Sequence, residues 1–433
     1  MAASMNISEL GRIIQANTQM IENHTLGHMV PWTSCDQASS PWVTLPEAFS
    51  HEKEKILDAV DRISTLVLGP LPYLLRLTSP MVNIFTSLHL IYKFQVAQNL
   101  GLTEEIQYEV LAQRVGLNVE DLRRFLRLAI TRHIFYEPRK NIISHNAVSR
   151  VLIDVPSSND WLGLVCEEML PSGIHAVEAL RKWPNSHDPA FTGYALASDS
   201  GESLFHALGH NPEKATRFMR AMGFLQAAQP CDVSFLLENV PWTKSTCPAT
   251  VVDIGGSLGT IGSHMLETFP SIGSWMVQDM ENVIERASIP VKHANRLSFH
   301  QSDLFAIQAI VGADIYFLRS VLHNWSDEKA IQILRNQVPA MKAESRIILN
   351  EICLPEPGKL PSCQEQIMRG YDISMKQTLN AKERDAEQWA SLVDRANSGL
   401  HISSIRSSPA ALLSVIEIVF DQTPETSAVY QSY

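Results

Sequence analysis

The chain has 433 residues, a length that corresponds to two or three domains of ordinary size. Hydrophobic residues make up 45% and charged residues 19% of the sequence, as in globular proteins and unlike disordered, collagenous or coiled-coil chains. The 35 basic residues are scattered and are outnumbered by 46 acidic ones, which gives a formal net charge of −11. Binding of nucleic acid as the main function is therefore disfavoured.

The cysteines and the N-terminal segment favour an intracellular protein. Six cysteines are spread through the chain without a C-x-x-C pair, so neither a disulfide framework nor a zinc knuckle is indicated. Residues 1–25 mix polar and apolar side chains as an amphipathic helix does, unlike the apolar core of a signal peptide. The most apolar window, from Ser64 to Leu75, is too short to span a membrane. We therefore expect a cytoplasmic protein that does not act at a membrane.

Two histidine pairs have the i, i+4 spacing that places both rings on one helix face, as in many metal sites. They are His24 with His28 and His206 with His210. Neither pair is predicted to have an acidic third ligand nearby. The sequence prediction is therefore that the protein holds no metal ion.

The first part of the chain is predicted to be helical, because apolar residues recur there at helical spacing. The expected helices run from Ile7 to Met29, from His51 to Leu75 and from Val82 to Leu100, where Gly101 would end the last one. A connector rich in proline and serine, from Pro31 to Pro46, separates the first two. These segments indicate packing rather than chemistry.

A more specific pattern follows between residues 108 and 144. Tyr108–Val115 is predicted to be a short helix ended by Gly116, Asn118 to cap a helix over residues 119–133, and Ile134–Ser144 to form a hairpin. Two helices followed by a two-stranded wing are typical of a winged-helix unit. Such units occur in DNA-binding regulators and in the dimerisation domains of some enzymes, and this pattern leaves both readings open.

The second half of the chain is predicted to be an α/β domain. Helices at Asp160–Trp183 and Asn211–Ala227, with a linker over Pro184–Pro189, precede a region in which strands alternate with helices. This alternation predicts a doubly wound, mainly parallel sheet, which binds ligands at the carboxyl ends of its strands. The predicted strands are Thr250–Ile254, Ser274–Gln278, Leu297–His300, Ala313–Leu318 and Arg346–Asn350, and the helices between them include Ile261–Phe269 and Lys329–Val338.

A glycine turn and three acidic residues follow the first three of these strands. The sequence VVDIGGSLG contains Gly255 and Gly256, which let a ligand approach the backbone, but it lacks the G-x-G-x-x-G dinucleotide pattern. Asp253 precedes the turn, Asp279 ends the next strand at the place of a ribose-binding acid, and Asp303 follows the third strand. Each acid alone could simply cap a helix. Together with the turn, they favour adenosine carrying a sulfonium, which is S-adenosylmethionine.

A histidine follows the fourth strand, in the sequence IYFLRSVLHNW. An isolated histidine in an apolar stretch is more often a packed core residue, but His323 lies at the expected ligand-binding edge and imidazole can accept a proton from a phenol near neutral pH. Glu351 ends the next strand, and Glu383 opens the helix predicted in NAKERDAEQW. Either glutamate could hold the far ring nitrogen.

From about residue 80 onwards, the chain resembles the plant-type and fungal S-adenosylmethionine-dependent O-methyltransferases, which act on phenols of small natural products. The segments LAQRVG, DLRRFLR and KWPNSHDPAFTGYALA are similar to that family's dimerisation domain and interdomain segment. VVDIGGSLG, VQDM, SDLF, LRSVLHNW, NEICLPEPG and NAKER resemble its signature segments in the same order. The resemblance implies a doubly wound Rossmann-like methyltransferase domain over residues 186–433. An all-α winged-helix dimerisation domain would precede it, over residues 1–185, in a homodimer.

The resemblance also assigns roles to individual residues. His323 would be the general base, flanked by Glu351 and Glu383, and S-adenosyl-L-methionine would be the cofactor. The implied cofactor-binding residues are Asp253, Gly255, Gly256, Asp279, Met280, Asp303, Leu304 and Arg319. The expected partner is an aromatic or polyketide-like small molecule, and neither nucleic acid nor a membrane is expected.

The sequence departs from the family pattern at several positions, and these raise an alternative. Ser257 and Leu258 replace residues common in the family's turn, and Asn324 stands where the family often has aspartate. Lys376 occupies a position that is usually apolar.

Some fungal members have exchanged methyl transfer for pericyclic cyclisation, in which His175 could donate a hydrogen bond. Asn324, Lys376 and His175 are the predicted substrate contacts, and retention of the histidine and both glutamates favours methyl transfer. A winged-helix transcription factor is disfavoured by the net charge.

Overall fold

The computed structural model describes residues 6–28, 45–227, 231 and 233–421. The predicted connector from Pro31 to Pro46 lies almost wholly outside these residues, and so does the side chain of His28. The chain divides into two compact units. Unit 1 comprises residues 1–179, 193–226 and 358–367, and unit 2 comprises residues 180–192, 227–357 and 368–433. In the described part of the chain, no helix combines the length and the apolar character that crossing a membrane requires.

The helices are numbered in chain order. They are α1 Ile7–His28, α2 Ser50–Leu68, α3 Pro70–Lys93, α4 Tyr108–Val115, α5 Val119–Ile130, α6 Ala147–Asp154, α7 Ser157–Leu164, α8 Leu170–Lys182, α9 Gly193–Ala197, α10 Leu204–His210, α11 Pro212–Ala227, α12 Ser234–Asn239, α13 Thr260–Thr268, α14 Glu281–Ile284, α15 Asp327–Arg335, α16 Ser362–Leu379 and α17 Ala386–Ala396. A π-helical turn, Val165–Met169, joins α7 to α8.

The strands are numbered in the same way. They are β1 Ile106–Gln107, β2 Tyr136–Arg139, β3 Ile142–Ser144, β4 Thr250–Ile254, β5 Ser274–Asp279, β6 Leu297–Gln301, β7 Ile315–Arg319, β8 Arg346–Glu351, β9 Cys353–Leu354, β10 Arg384–Asp385, β11 Leu400–Arg406 and β12 Ser414–Phe420.

In unit 1, the pattern predicted between residues 108 and 144 is confirmed element by element. Helix α4 ends at Gly116, whose φ of 70° is left-handed, and the side chain of Asn118 accepts a hydrogen bond from the Glu120 amide at 2.8 Å. The hairpin of β2 and β3 forms as expected, and the unpredicted strand β1 pairs antiparallel with β3. Leu111 and Leu126 are fully buried in the core of this region.

Two predicted helix boundaries in unit 1 are wrong. The expected helix from His51 to Leu75 is two helices, because Gly69 adopts a φ of 74° between α2 and α3 and Pro70 starts the second one. Helix α3 then continues through Pro80 and ends at Lys93, well before the expected stop at Gly101. The break thus follows the local Gly69-Pro70 signal, whereas the continuation of α3 through Pro80 overrides a local signal.

Unit 2 contains the predicted α/β sheet. Strands β6, β5, β4, β7 and β8 lie side by side in parallel, which confirms the five predicted strands. Two further strands were missed: β12 pairs antiparallel with β8, and β11 pairs antiparallel with β12. In the described residues, the sheet is thus mixed and has the order β11-β12-β8-β7-β4-β5-β6. The carboxyl ends of β4, β5, β7 and β8 meet along one edge, as the prediction required.

Candidate active site

A glycine turn leaves the carboxyl end of β4. Gly255 has a φ of 72°, and its amide donates a hydrogen bond to the carbonyl of Gln278 on β5 at 2.8 Å. At Gly256, an added Cβ would lie 2.5 to 2.7 Å from the carboxyl group of Asp253, closer than real Cβ contacts permit. The turn is therefore restricted to glycine for two separate reasons, backbone conformation and lack of space.

Asp253 lies beneath this turn. It is only 2% exposed, and its Oδ2 accepts a hydrogen bond from Nε1 of Trp275 at 2.9 Å. Burial raises the pKa of Asp253 to about 7, and the neighbouring charge of Asp279 adds to that effect. The Asp253 carboxyl group thus occupies the space that a side chain at position 256 would need.

Asp279 ends β5 and faces the same turn. Its Oδ2 accepts a hydrogen bond from the Ser257 amide at 2.9 Å, and its Oδ1 accepts one from the Met280 amide at 2.8 Å. Burial raises the pKa of Asp279, whereas these two amides oppose the rise. A carboxylate has about four acceptor positions, so two remain for a ligand that carries hydroxyl groups. The Met280 side chain is 56% exposed beside it.

The third acid, Asp303, lies two residues beyond β6. It is exposed, and its Oδ1 accepts a hydrogen bond from the Phe305 amide at 2.9 Å, so it stabilises a local turn. Leu304 is partly buried and packs against the core of the sheet. These contacts leave the remaining acceptor positions of Asp303 open to solvent.

Arg319 is the last residue of β7 and is 8% exposed. One of its terminal nitrogens donates to the carbonyl of Cys231 at 2.7 Å, and the other donates to the side-chain oxygen of Asn350. The guanidinium group is therefore fixed within the same edge of the sheet. It carries a positive charge into the neighbourhood of Asp253.

His323 lies in the 3-10 turn Leu322–Asn324 that follows β7, with a side chain that is 16% exposed. Its Nδ1 lies 2.7 Å from Oε1 of Glu383. Glu351, at the end of β8, is fully buried and accepts hydrogen bonds at Oε1 from the amides of Val321, at 2.8 Å, and Leu322, at 2.7 Å. Of the two predicted partners, Glu383 therefore holds the ring, and Glu351 holds the backbone that carries it.

The three side chains are coupled electrostatically. Burial alone would lower the pKa of His323, but the charges of Glu383 and Glu351 outweigh it and raise that pKa to about 9. Burial also raises the pKa of Glu351. Within the described residues, the second carboxylate oxygens of both glutamates are buried without a hydrogen-bond partner. The imidazolium is therefore the group that neutralises this buried acidic pair.

A two-stranded parallel ladder brings the glutamates together. Strand β9 pairs with β10, and Glu351 and Glu383 lie just before these strands. The amide of Glu383 donates a hydrogen bond to Oδ1 of Asp372 at 2.9 Å. The prediction that Glu383 opens a helix is wrong, because Asp385 caps α17 and Glu383 precedes β10 instead. A ladder of two residues leaves too weak a pattern in the sequence to be recognised.

Sequence reasoning missed one functional residue, Arg384. It is fully buried and donates hydrogen bonds to the carbonyls of Leu322, at 3.1 Å, and Trp325, at 2.9 Å. It also pairs with Asp327 at 2.9 Å. These contacts bind the loop on both sides of His323. The signal was present next to Glu383 in NAKER, but a charged residue there is usually exposed.

The three predicted substrate contacts make interactions with their own surroundings. Asn324 donates from Nδ2 to the carbonyl of Ser320 at 3.0 Å. Lys376 donates to the side-chain oxygen of Asn380, and burial lowers the pKa of this lysine. His175, on α8 in unit 1, is half-exposed and lies 3.4 Å from Glu178.

The prediction for the His206–His210 pair is wrong in one respect. An acidic residue does lie beside it, since Oε1 of Glu202 is 3.1 Å from Nδ1 of His206. Among the described residues, two groups could hold a metal ion, namely Glu202 with His206 and His210, and His323 with Glu351 and Glu383.

The sheet, the glycine turn and the histidine with its glutamates define an α/β methyltransferase. Residues 190–398 match the family model for the O-methyltransferase domain. Over 417 residues, the chain is 34% identical to O-methyltransferase kk1A of Curvularia clavata. The alignment covers 96% of this chain and 98% of the relative. The chain belongs to the O-methyltransferase family and is an enzyme of that class.

Solved structures share this fold over nearly the whole chain. OxaC in complex with SAH and oxaline superposes with a TM-score of 0.75 at 21% identity and covers 95% of this chain and 100% of its own. A structure described as a pericyclic reaction enzyme superposes with a TM-score of 0.74 at 22% identity and the same coverage. At this level of identity, both relationships establish the α/β fold with its helical N-terminal region.

Proposed function

We propose that the enzyme transfers a methyl group from S-adenosylmethionine to a phenolic or enolic hydroxyl of a small, polyketide-like secondary metabolite. The observation that carries this proposal is the position of His323, which follows the carboxyl end of β7. Its Nδ1 lies 2.7 Å from Oε1 of Glu383. The glycine turn leaves the neighbouring parallel strand β4 at the same edge of the sheet. A base and a nucleoside-binding turn thus share one edge.

The residues of the turn fit the proposed cofactor. Gly255 and Gly256 keep the backbone open for the methionine part, above Asp253, and the two remaining acceptor positions of Asp279 suit a ribose diol. When bound, S-adenosylmethionine supplies a methyl group that is already electrophilic because it is attached to a sulfonium. The other proposed cofactor contacts are Asp303 and Leu304 with the adenine, and Arg319 on the cofactor side of the sheet. Met280 is proposed as a contact without assignment to one part of the cofactor.

The histidine has the polarity that a base requires. A carboxylate only accepts hydrogen bonds, so Nδ1 of His323 carries the proton that is donated to Glu383. In the neutral form of the ring, which is the minor form below the pKa of about 9, Nε2 accepts the proton of the substrate hydroxyl. The pKa of His323, about 9, is close to the value of about 10 of a phenol. Proton transfer between them is therefore nearly balanced, whereas an aliphatic alcohol would be far too weak an acid.

We also propose that His175, Asn324 and Lys376 contact the substrate, which is a small aromatic or polyketide-like molecule. The proposed location of the enzyme is the cytoplasm. Asn324 follows the base directly, and the contact of its amide with Ser320 uses one of the two N–H groups. The proposed division is a dimerisation region over residues 1–185 and a catalytic region over residues 186–433.

We also propose that the protein is a homodimer with a winged-helix dimerisation domain. Helices α4 and α5 with the hairpin of β2 and β3 have that order, and α2 and α3 expose large apolar side chains. The most exposed of these are Leu66, Val67, Leu71, Leu74, Leu75, Leu77 and Val82, each at least 50% accessible in the single chain. Covering them with a second copy would remove this apolar surface from water. Sedimentation should give a dimer, and Leu74→Lys should give a monomer.

The second candidate is a pericyclase that cyclises its substrate without methyl transfer. One observation favours it: the pKa of His323, about 9, makes the ring a hydrogen-bond donor on both nitrogens at neutral pH. The fold neighbour described as a pericyclic reaction enzyme is compatible with this reading. The two functions differ in whether the product gains mass.

The deciding experiment uses the purified chain, labelled S-adenosylmethionine and a panel of small phenols and enols. Methyl transfer predicts a labelled product heavier by one methyl group, formed only with the cofactor. An isomer of unchanged mass would replace this proposal with the pericyclase. Absence of both products, with measurable binding of the cofactor, would rule out the phenols and enols tested as substrates.

A further inference from the structure

A second group of potential ligands lies in unit 1, outside the proposed active site. His206 and His210 lie one turn apart on the same face of α10, and Glu202 lies just before the helix, four residues before His206. Their ligand atoms lie within 4.8 Å of one another. The side chains are accessible, at 37% for Glu202 and 57% for His206. An ion can therefore reach them directly from solvent.

The distances within this group match those of a metal site. Oε1 of Glu202 lies 3.1 Å from Nδ1 of His206. Two ligand atoms about 2.1 Å from a zinc ion, separated by about 90 to 110°, lie about 3.0 to 3.4 Å apart. A metal ion could thus replace the proton between these two atoms with little movement of either side chain.

The hydrogen bonding of His210 leaves one of its ring nitrogens available to a metal ion. Nδ1 of His210 lies 3.0 Å from the carbonyl oxygen of His206, which can only accept, so this nitrogen carries the proton. Nε2 of His210 therefore keeps its lone pair. A ring that donates one N–H to a backbone carbonyl and offers the other nitrogen is the usual arrangement of metal-binding histidines. The centroids of the two rings are 4.5 Å apart.

We propose that Glu202, His206 and His210 form a surface site for one transition-metal dication, of the class of Zn²⁺, Ni²⁺ or Cu²⁺. Two imidazoles and one carboxylate suit these ions, whereas Mg²⁺ and Ca²⁺ prefer oxygen ligands only. Water fills the remaining coordination positions. The bound ion ties residue 202 to α10 and stabilises this part of unit 1.

This site is independent of methyl transfer. The other candidate group contains the proposed base, since Glu383 holds His323 and Oε1 of Glu351 accepts two backbone amides. A metal ion bound there would involve His323, whereas one bound at Glu202, His206 and His210 would not. The proposal therefore predicts binding that survives loss of His323 and leaves turnover unaffected by removal of the metal.

Calorimetric titration of the chelator-treated full-length chain with Zn²⁺ tests the proposal. We expect one ion per chain, at least about tenfold weaker binding for His210→Gln and for His206→Gln, and unchanged binding for His323→Ala. His401→Ala is the matched control, because this exposed histidine pairs with Asp421 at 3.5 Å without a second histidine four residues away. No binding by the wild type, unchanged binding by both glutamine variants, or loss of binding in His323→Ala would overturn the proposal.

Discussion

The glycine turn and the histidine site lie on the same edge of one sheet, yet they are held by different forces. The turn depends on backbone geometry and on space, since Gly256 has no room for a Cβ above Asp253. The histidine depends on charge, since Glu383 and Glu351 fix His323 and raise its pKa to about 9. Substitutions in the turn should therefore act on cofactor binding through steric overlap. Substitutions around the histidine should act on turnover and its dependence on pH.

The largest effect is expected for His323→Ala. Loss of the base should lower kcat by about 10²- to 10⁴-fold, the usual contribution of a general base. The Kd of S-adenosylmethionine should stay unchanged, because the turn is held separately. Steady-state kinetics and calorimetry measure the two quantities, with His401→Ala as an exposed-histidine control. Full activity in His323→Ala would remove the histidine from the mechanism.

A smaller loss is expected for Glu383→Gln. The imidazole remains, but it loses the charge that raises its pKa, and its partner becomes an amide that can both accept and donate, so the tautomer is no longer fixed. The kcat should therefore fall by about 10- to 100-fold. Wild-type kcat/KM should rise as the pH increases towards about 9, since only the neutral ring accepts a proton. In the variant, this rise should move to lower pH. Glu387→Gln, which changes an exposed residue on α17, is the control and should keep the wild-type pH profile. A wild-type pH profile in Glu383→Gln would contradict the electrostatic coupling between Glu383 and His323.

Gly256→Ala tests the other region. An added methyl group would lie 2.5 to 2.7 Å from the Asp253 carboxyl, and overlap of this kind costs roughly 1–3 kcal/mol. The Kd of S-adenosylmethionine should rise about tenfold, whereas kcat at saturating cofactor should change much less. Gly370→Ala on α16, where nothing lies within 4 Å of an added Cβ, is the matched control. An unchanged Kd for Gly256→Ala would show that the turn does not approach the cofactor.

The smallest effect on turnover, within about threefold, is expected for Asp253→Asn, which keeps an acceptor for Trp275. Its effect should appear in stability instead. The pKa of Asp253 is about 7 in the folded chain and about 3.9 when unfolded, so the free energy of unfolding falls as the pH rises between these values. Denaturant titrations at several pH values should show a weaker fall in Asp253→Asn than in the wild type and in Asp394→Asn, an exposed control. An equal fall in all three would contradict the assignment.

Features that depend on local pattern can be predicted from the amino-acid sequence. The central strands β4, β7 and β8 were recognisable because strands buried on both faces are nearly continuously apolar. The edge strand β6 is more polar and was recognisable from the alternation of strands and helices. Gly255, Asp279 and His323 were recognisable because they follow such strands, and the carboxyl ends of parallel strands meet at one edge. The ends of α4 and the cap of α5 followed from Gly116 and Asn118 in the same way.

The contacts that hold these residues in place become visible only in the folded chain. The choice of Glu383 as partner of His323 depends on the pairing of β9 with β10, and the fixation of the loop depends on Arg384, 61 residues beyond the histidine in sequence. The acid beside His206 and the break at Gly69 were also missed, although both are local in the sequence. Glu351, Glu383 and Arg384 differ from these two, because charged side chains carry no periodic signal and the partners of these three are distant in the chain. Their roles therefore emerge only when folding buries them together.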